Sequence, residues 1–234
     1  MKKKTLITLT SIFVVVVLAA LLAFAFAGDT SDAPESTLDL TGTWKVTGQI
    51  AEGVATHTEN EFYTFTEDTA SNYRDGSTTP FATSKYTLTP GSYPHYDLKL
   101  PDLGRTMVVK PCSENLICLY SNASSCVYMY RYPNADFSPI ELDTGILEGR
   151  WDVAYRNTGD TIFEEQMVFE NGELRDYRNG SEEPTLIAPY TISEEGYLCV
   201  DSAGMKTRFC PTSEDLVFLV ELDTGYVWEL RRIN

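Results

Sequence analysis

Two histidines, five cysteines and 34 carboxylates are the side chains of this 234-residue chain best suited to chemistry. His57 and His95 have no cysteine or further histidine nearby at a metal-ligand spacing, so no metal site is expected. The pairs Glu164-Glu165, Glu182-Glu183 and Glu194-Glu195 are adjacent. On a strand, neighbours point to opposite faces and cannot act on one substrate atom. No serine sits in a strand-to-helix elbow, and no glycine-rich phosphate loop follows a strand. This inventory predicts a protein that is not an enzyme and uses no cofactor.

Another stretch carries chemistry-bearing residues twice. Tyr73-Arg74-Asp75-Gly76-Ser77 returns as Tyr177-Arg178-Asn179-Gly180-Ser181. Asp-Gly and Asn-Gly tolerate the left-handed backbone of a tight turn between paired strands. The favoured account is structural: the tyrosines pack inward, the dipeptides turn the chain, and both arginines face water. The alternative is that an arginine beside the turn holds a carboxylate or sulfate.

These residues sit in a chain built for export. Lys2, Lys3 and Lys4 precede an uncharged, mostly apolar run from Leu6 to Ala27. Ala25-Phe26-Ala27 suits signal cleavage after Ala27, while a helix of that length, about 33 Å, suits a retained transmembrane anchor. Either reading gives residues 1–27 to a signal peptide or anchor, and 28–38 to a polar, acidic linker. The rest is extracytoplasmic, held at the cell surface or secreted, and touches the membrane only through the N-terminal helix. Net charge is −16, and without the three leading lysines the balance is still more acidic. Such a surface repels phosphate backbones, so no nucleic-acid partner is expected.

An oxidising compartment also makes disulfides available to the five cysteines. Cys199 and Cys210 flank a predicted hairpin near Gly204 and are expected to bridge. Among Cys112, Cys118 and Cys126, the pair Cys118–Cys126 straddles a short turn and is the best second candidate. Asn122 and Asn179 head glycosylation acceptor triplets at predicted turns, relevant only in a host with that pathway.

The chain also repeats itself. Residues 40–46, LTGTWKV, reappear as 147–153, LEGRWDV. KYTLT matches PYTIS, PCSENLICLY matches PTSEDLVFLV, and YMYRY matches WELRR, all in order. The last two pairs share one offset, which aligns the closing third without a gap. Ordered repetition means duplication, with units at 39–133 and 146–234. Each unit reads as short runs rich in Val, Thr, Tyr and Phe, punctuated by Gly, Pro, Asn and Asp. Alternation keeps phase between copies: Trp44 and Val46 with Trp151 and Val153, Tyr63 and Phe65 with Met167 and Phe169. Sequential hairpins of about eight strands leave two open sheet edges unless they close. The prediction is all-β, two tandem antiparallel up-and-down barrels.

Gly-x-Trp on a first strand, a strand meander and an arginine in the last strand resemble the lipocalin and wider calycin superfamily. The residues are Gly42, Trp44 and Arg131 in one unit, and Gly149, Trp151 and Arg231 in the other. The resemblance implies that each tryptophan plugs one barrel end with the arginine packed near it. At about ninety residues the units are shorter than typical lipocalins, and suggest shallower barrels like those of compact bacterial surface domains.

Barrels of eight strands are either filled by side chains or hold one small ligand. The expected inward positions are Tyr63, Phe65, Tyr86, Tyr128 and Tyr130, and Met167, Phe169, Tyr190, Phe218 and Trp228. As core they need no ligand; as a cup they would orient a small apolar or amphiphilic molecule. The first unit keeps more tyrosine and is the better prospect for a pocket. The expected function is therefore non-enzymatic binding of such a molecule. The alternative is a structural or protein-interaction module with filled barrels.

Overall fold

The computed structural model describes residues 38–51, 54–56, 60–92, 94–122, 125–140, 143–157, 164–221 and 226–233. The segment expected to direct export, with Ala27, nearly all of the expected linker, and His57 lie outside them. Among the described residues no helix is long and apolar enough to cross a membrane.

The first unit contains β1 (Gly42–Ala51), β2 (Val54–Thr56), β3 (Phe62–Phe65), β4 (Thr69–Tyr73), β5 (Ala82–Lys85), β6 (Thr87–Pro90), β7 (Tyr96–Leu100), β8 (Arg105–Pro111), β9 (Leu116–Asn122) and β10 (Ser125–Tyr132). The second contains β11 (Gly149–Arg156), β12 (Gln166–Glu170), β13 (Glu173–Tyr177), β14 (Leu186–Pro189), β15 (Thr191–Ile192), β16 (Tyr197–Val200), β17 (Met205–Ser213), β18 (Leu216–Glu221) and β19 (Val227–Arg232). Sheet order is β5-β4-β3-β1-β10-β9-β8-β7-β6, with β2 paired to β1, and then β14-β13-β12-β11-β19-β18-β17-β16-β15.

The two ends of each sheet are consecutive in sequence. One residue, Tyr86, separates β5 from β6, and one, Tyr190, separates β14 from β15. A single bent strand thus forms both margins, which leaves two nearly closed antiparallel barrels and little free edge. Counting each bent strand once gives the eight-strand meander that the sequence pattern predicts. A short 3-10 turn supports the first seam: Asp102 Oδ2 accepts from Lys85 N at 2.8 Å.

The turns form for the reason given by their residue types. Asp75 and Gly76 have φ of 56° and 71°, and Asn179 and Gly180 have 57° and 68°. Ser77 N donates to Arg74 O at 3.0 Å and Ser181 N to Arg178 O at 3.1 Å, closing both turns.

At one end of each barrel an indole fills the core. Trp44 and Trp151 are fully buried, and their Nε1 atoms donate to Leu40 O and Leu147 O, both at 2.7 Å. A guanidinium covers each: Arg131 over Trp44 at 4.5 Å and Arg232 over Trp151 at 4.4 Å. Arg131 Nη1 also donates to Thr41 O at 2.6 Å, and Arg232 Nη1 to Glu148 O at 3.0 Å. The glycine of Gly-x-Trp follows from this lid. Gly42 and Gly149 have φ of +119° and +124°, and an added Cβ would lie 3.3 Å from Arg131 Nη1 or 2.7 Å from Arg232 Nη1.

The second arginine is therefore Arg232, not Arg231. Leu119 pairs with Val127, eight residues on, whereas Leu219 pairs with Trp228, nine residues on. One extra residue in the last hairpin breaks the ungapped alignment. By period-two alternation it moves Arg231 to the outer face, where it pairs with Glu229 at 2.8 Å.

The outer faces of the two barrels meet. Phe62, Leu116, Tyr130 and Tyr132 of the first pack with Phe218, Val220 and Val227 of the second in one buried cluster. Tyr130 stacks on Phe218 with ring centroids 4.7 Å apart. Phe137, from the join, stacks on Phe62 at 4.7 Å and meets Tyr73 at 4.7 Å. Tyr132 donates from its hydroxyl to Ser138 O at 2.7 Å, which ties the join down. Ser113 Oγ donates across the seam to buried Glu229.

Four expectations about inward residues are thereby corrected. Tyr128 and Tyr130 alternate along β10 with Arg131, which faces Trp44, and belong to the seam rather than a barrel interior. Phe218 and Tyr73 do the same. Tandem barrels bury part of their outside, so alternation alone does not say which buried face is the lumen.

All five cysteines are free thiols. Cys199 lies opposite Lys206 while Cys210 pairs with Phe218 on the other side of β17. The register places Cys210 four residues beyond the position facing Cys199, which contradicts that bridge. Cys118 and Cys126 sit diagonally across β9 and β10, opposite Tyr128 and Tyr120, and their thiols are hydrogen-bonded.

Candidate functional site

The end of the second barrel away from Trp151 opens into a cup of about 420 Å³. Met167, Leu174, Leu186, Met205 and Trp228 make its apolar wall, and Arg156, Asp176, Arg178, Glu221 and Tyr226 its polar part. Strand register explains the set. Met167 and Asp176 are directly opposed across β12 and β13, Asp176 faces Leu186 on β14, and Arg156 faces Trp228 on β19. Opposed residues share a face, and this is the face of Trp151, which pairs with Met167.

Inside the rim, two carboxyls meet two guanidiniums. Arg156 Nη1 donates to both oxygens of Glu165, at 2.9 and 2.8 Å. Arg178 Nε donates to Asp176 Oδ2 at 2.7 Å and lies 3.4 Å from Glu165 Oε1. Glu165 and Asp176 are 3% and 1% exposed. Burial, the largest cause, raises the carboxyl pKa of both above the usual range; the charge of Asp176 adds to this at Glu165, while the arginines and, at Asp176, a hydrogen bond shared with Glu165 pull the other way. Asp176 Oδ1 is buried and accepts no hydrogen bond from the described residues.

The duplication supplies an internal comparison. Glu61, Asn72 and Arg74 occupy the corresponding places in the first barrel. There Asn72 Nδ2 donates to Glu61 Oε1 at 2.8 Å and Arg74 Nε to the same oxygen at 3.2 Å. The amide satisfies the glutamate that the second barrel's aspartate repels. Opposite Trp44, Tyr63 takes the place that Met167 holds opposite Trp151. Tyr63 is hydrogen-bonded with Arg74, and burial first, then Glu61, pushes its hydroxyl up to about 12. The bulkier ring occupies the barrel interior, so the better prospect for a cup is the second unit, opposite to the expectation from tyrosine content.

A buried aspartate without a full set of partners is costly, about 1–3 kcal/mol for the unsatisfied oxygen. Asp176→Asn, which copies the first barrel, is expected to raise stability at pH 7 by about 1–2 kcal/mol. The sign follows from linkage: a carboxyl whose folded pKa is raised contributes fully below its unfolded value, near pH 4, and loses that contribution as pH climbs through the folded value. The variant should therefore lose less stability between about pH 4 and neutrality. Denaturant midpoints across that range measure it; an equal or steeper fall would contradict the assignment.

Of the inward residues singled out from sequence, Met167 and Trp228 line the cup beside the arginines. Phe65, Tyr86, Phe169 and Tyr190 belong to the plugged end. Phe65 pairs with Gly42 and Phe169 with Gly149, and the two tyrosines meet those rings edge-on at 5.4 and 5.2 Å. Tyr190 hydroxyl donates to Glu148 Oε1 at 2.9 Å. Sequence reading missed Asp176 and Arg156, set Glu165 aside with its neighbour, and placed Arg178 in water. The repeated Tyr-Arg-x-Gly-Ser stretch was the available signal: its arginine folds back from the turn onto the acid two residues before it. His95 is on the outside of the first barrel, beside Tyr120 and Asn122.

The class defined here is a tandem, nearly closed antiparallel β-barrel protein with an indole-and-arginine plug in each unit. No protein-family model and no curated protein sequence matches the chain. A solved structure from Nostoc punctiforme PCC 73102, a protein of unknown function from the DUF3598 family, is similar at 11% identity. The match covers 82% of this chain and 96% of that one, with a TM-score of 0.31.

Proposed function

We propose that the chain is a lipocalin-like, extracytoplasmic binding protein, not an enzyme, that holds a small, partly apolar molecule in the cup of its second barrel. The observation that carries this reading is the open cavity with one apolar wall and a buried, incompletely paired Asp176 at its rim. Ligand sites combine mostly apolar lining with a few convergent polar groups, and a cavity of about 420 Å³ is within their usual size range. Both carboxyls are engaged by arginines, an arrangement suited to orienting a head group. Localisation rests on the basic start and apolar run of residues 1–27.

The neutral dye N-phenyl-1-naphthylamine tests the cup. Saturable uptake by the full chain, with quenching of tryptophan fluorescence that is lost in Trp228→Leu and retained in the first-barrel variant Tyr63→Phe, is the expected result. No saturable uptake would leave filled barrels and an interaction role as the better account.

In an oxidising compartment the touching thiols of Cys118 and Cys126 are the pair expected to join, each giving up a hydrogen to a disulfide oxidant. Peptide mapping after treatment with oxidised glutathione should find a 118–126 cross-link and none between 199 and 210. A 199–210 cross-link would mean that the strand register is wrong.

A further inference from the structure

The polar rim of the cup has a sidedness that restricts what the ligand's head group can be. On one side is Asp176 Oδ1, an acceptor with no donor among the described residues, on a side chain almost wholly buried. On the other is Arg178, whose Nε is committed to Asp176 Oδ2 while its side chain stays 36% exposed. Its terminal nitrogens are the guanidinium donors left for a guest. The two functions belong to residues two apart, tied by a 2.7 Å hydrogen bond, so they offer acceptor and donors within one small head group's reach. Arg156 is occupied by Glu165 behind them. Met167, Leu174, Leu186, Met205 and Trp228 continue the cavity as an apolar wall.

We infer that the cup selects amphiphiles whose head pairs an ammonium with an adjacent carboxylate, the ammonium on Asp176 and the carboxylate on Arg178. This rests on the second barrel being a binding cup. A lone amine would leave the guanidinium to water. A lone carboxylate would leave Asp176 Oδ1 without a donor and add a third negative charge beside Glu165 and Asp176. Of these three heads, the one carrying both groups completes the hydrogen bonding while leaving the site's net charge unchanged. The first barrel, with Asn72 donating to Glu61 and Tyr63 on Arg74, has both functions already satisfied, so the selectivity belongs to the second barrel alone.

Three probes share one chain and differ in the head: 2-aminodecanoic acid, decanoic acid and decylamine. Titrated at pH 7 into the full chain and followed by calorimetry, the first should bind at least tenfold more tightly than either of the others. Asp176→Asn, expected to fold because the first barrel carries the same residue, should abolish the advantage over decanoic acid. Arg178→Gln should abolish the advantage over decylamine. Equal affinity for all three, with dye uptake intact, would overturn the head-group assignment and leave the apolar cup standing. A preference for 2-aminodecanoic acid that survives Asp176→Asn would also overturn it. Absence of binding by all three probes and the dye would remove the cup itself.

Discussion

Trp151→Ala is expected to destabilise the chain by about 3–5 kcal/mol, the upper range for emptying a buried aromatic site. The indole is fully buried, so nothing outside can refill the space without moving strands. The loss has three parts: the cavity, the hydrogen bond from Nε1 to Leu147 O, and the stacking of Arg232. The last can be isolated. Trp151 and Arg232 should show a coupling of about 0.5–2 kcal/mol in a double-mutant cycle, as a cation over an indole does. Trp151 and Arg231 should be additive to within about 0.5 kcal/mol, because Arg231 lies on the other face with Glu229. Urea unfolding of the single and double variants provides all the terms. A Trp151→Ala cost near zero, or coupling to Arg231 in place of Arg232, would refute the plug as described.

Those two arginines also show where sequence reading reaches its limit. Duplication, strand phase, turn positions and both tryptophans are local patterns, and the fold bears them out. Which of two adjacent arginines faces inward depends on one inserted residue in a hairpin, and a one-residue slip reverses every side chain beyond it. The tyrosines failed for a different reason. A strand buried on both faces loses the apolar–polar contrast that marks inside from outside, and Tyr128 and Tyr130 are on such a strand, between lumen and seam. The rim cluster was hidden because its members come from different strands: Arg156 ends β11, Glu165 precedes β12, Asp176 is on β13 and Arg178 begins a turn. Pairing across three strands brings them together, and no spacing in the chain announces it.

The divergence between copies is more informative than their likeness. The plug is preserved atom for atom in its donors and acceptors: Nε1 to the carbonyl four residues back, guanidinium to the carbonyl preceding the glycine. At the opposite end the copies part. Asn72 against Asp176 and Tyr63 against Met167 convert a satisfied, ring-filled interior into an open one with a spare acceptor. Stability does not ask for the aspartate, since the amide solves the same packing problem in the first barrel. Residues that break a local rule without a structural return are where function is to be sought.

A second large effect is expected far from the cup. Phe218 is completely buried on the seam, stacked on Tyr130 of the first barrel. Phe218→Ala should cost about 3–5 kcal/mol and, more diagnostically, change how the chain melts. With Phe62, Tyr132 and the join's Phe137 packed into the same cluster, and Ser113 hydrogen-bonded across to Glu229, neither barrel can open without exposing its neighbour's outer face. The intact chain should therefore unfold in one calorimetric transition. The variant should resolve into two, because each barrel keeps its own plug and strand ladder while the shared cluster is lost. The cup lies on the lumen side, so dye uptake by folded Phe218→Ala should persist. One transition at an unshifted midpoint in the variant would mean that the barrels touch without stabilising each other, and the seam would then be a contact of convenience between two independent domains.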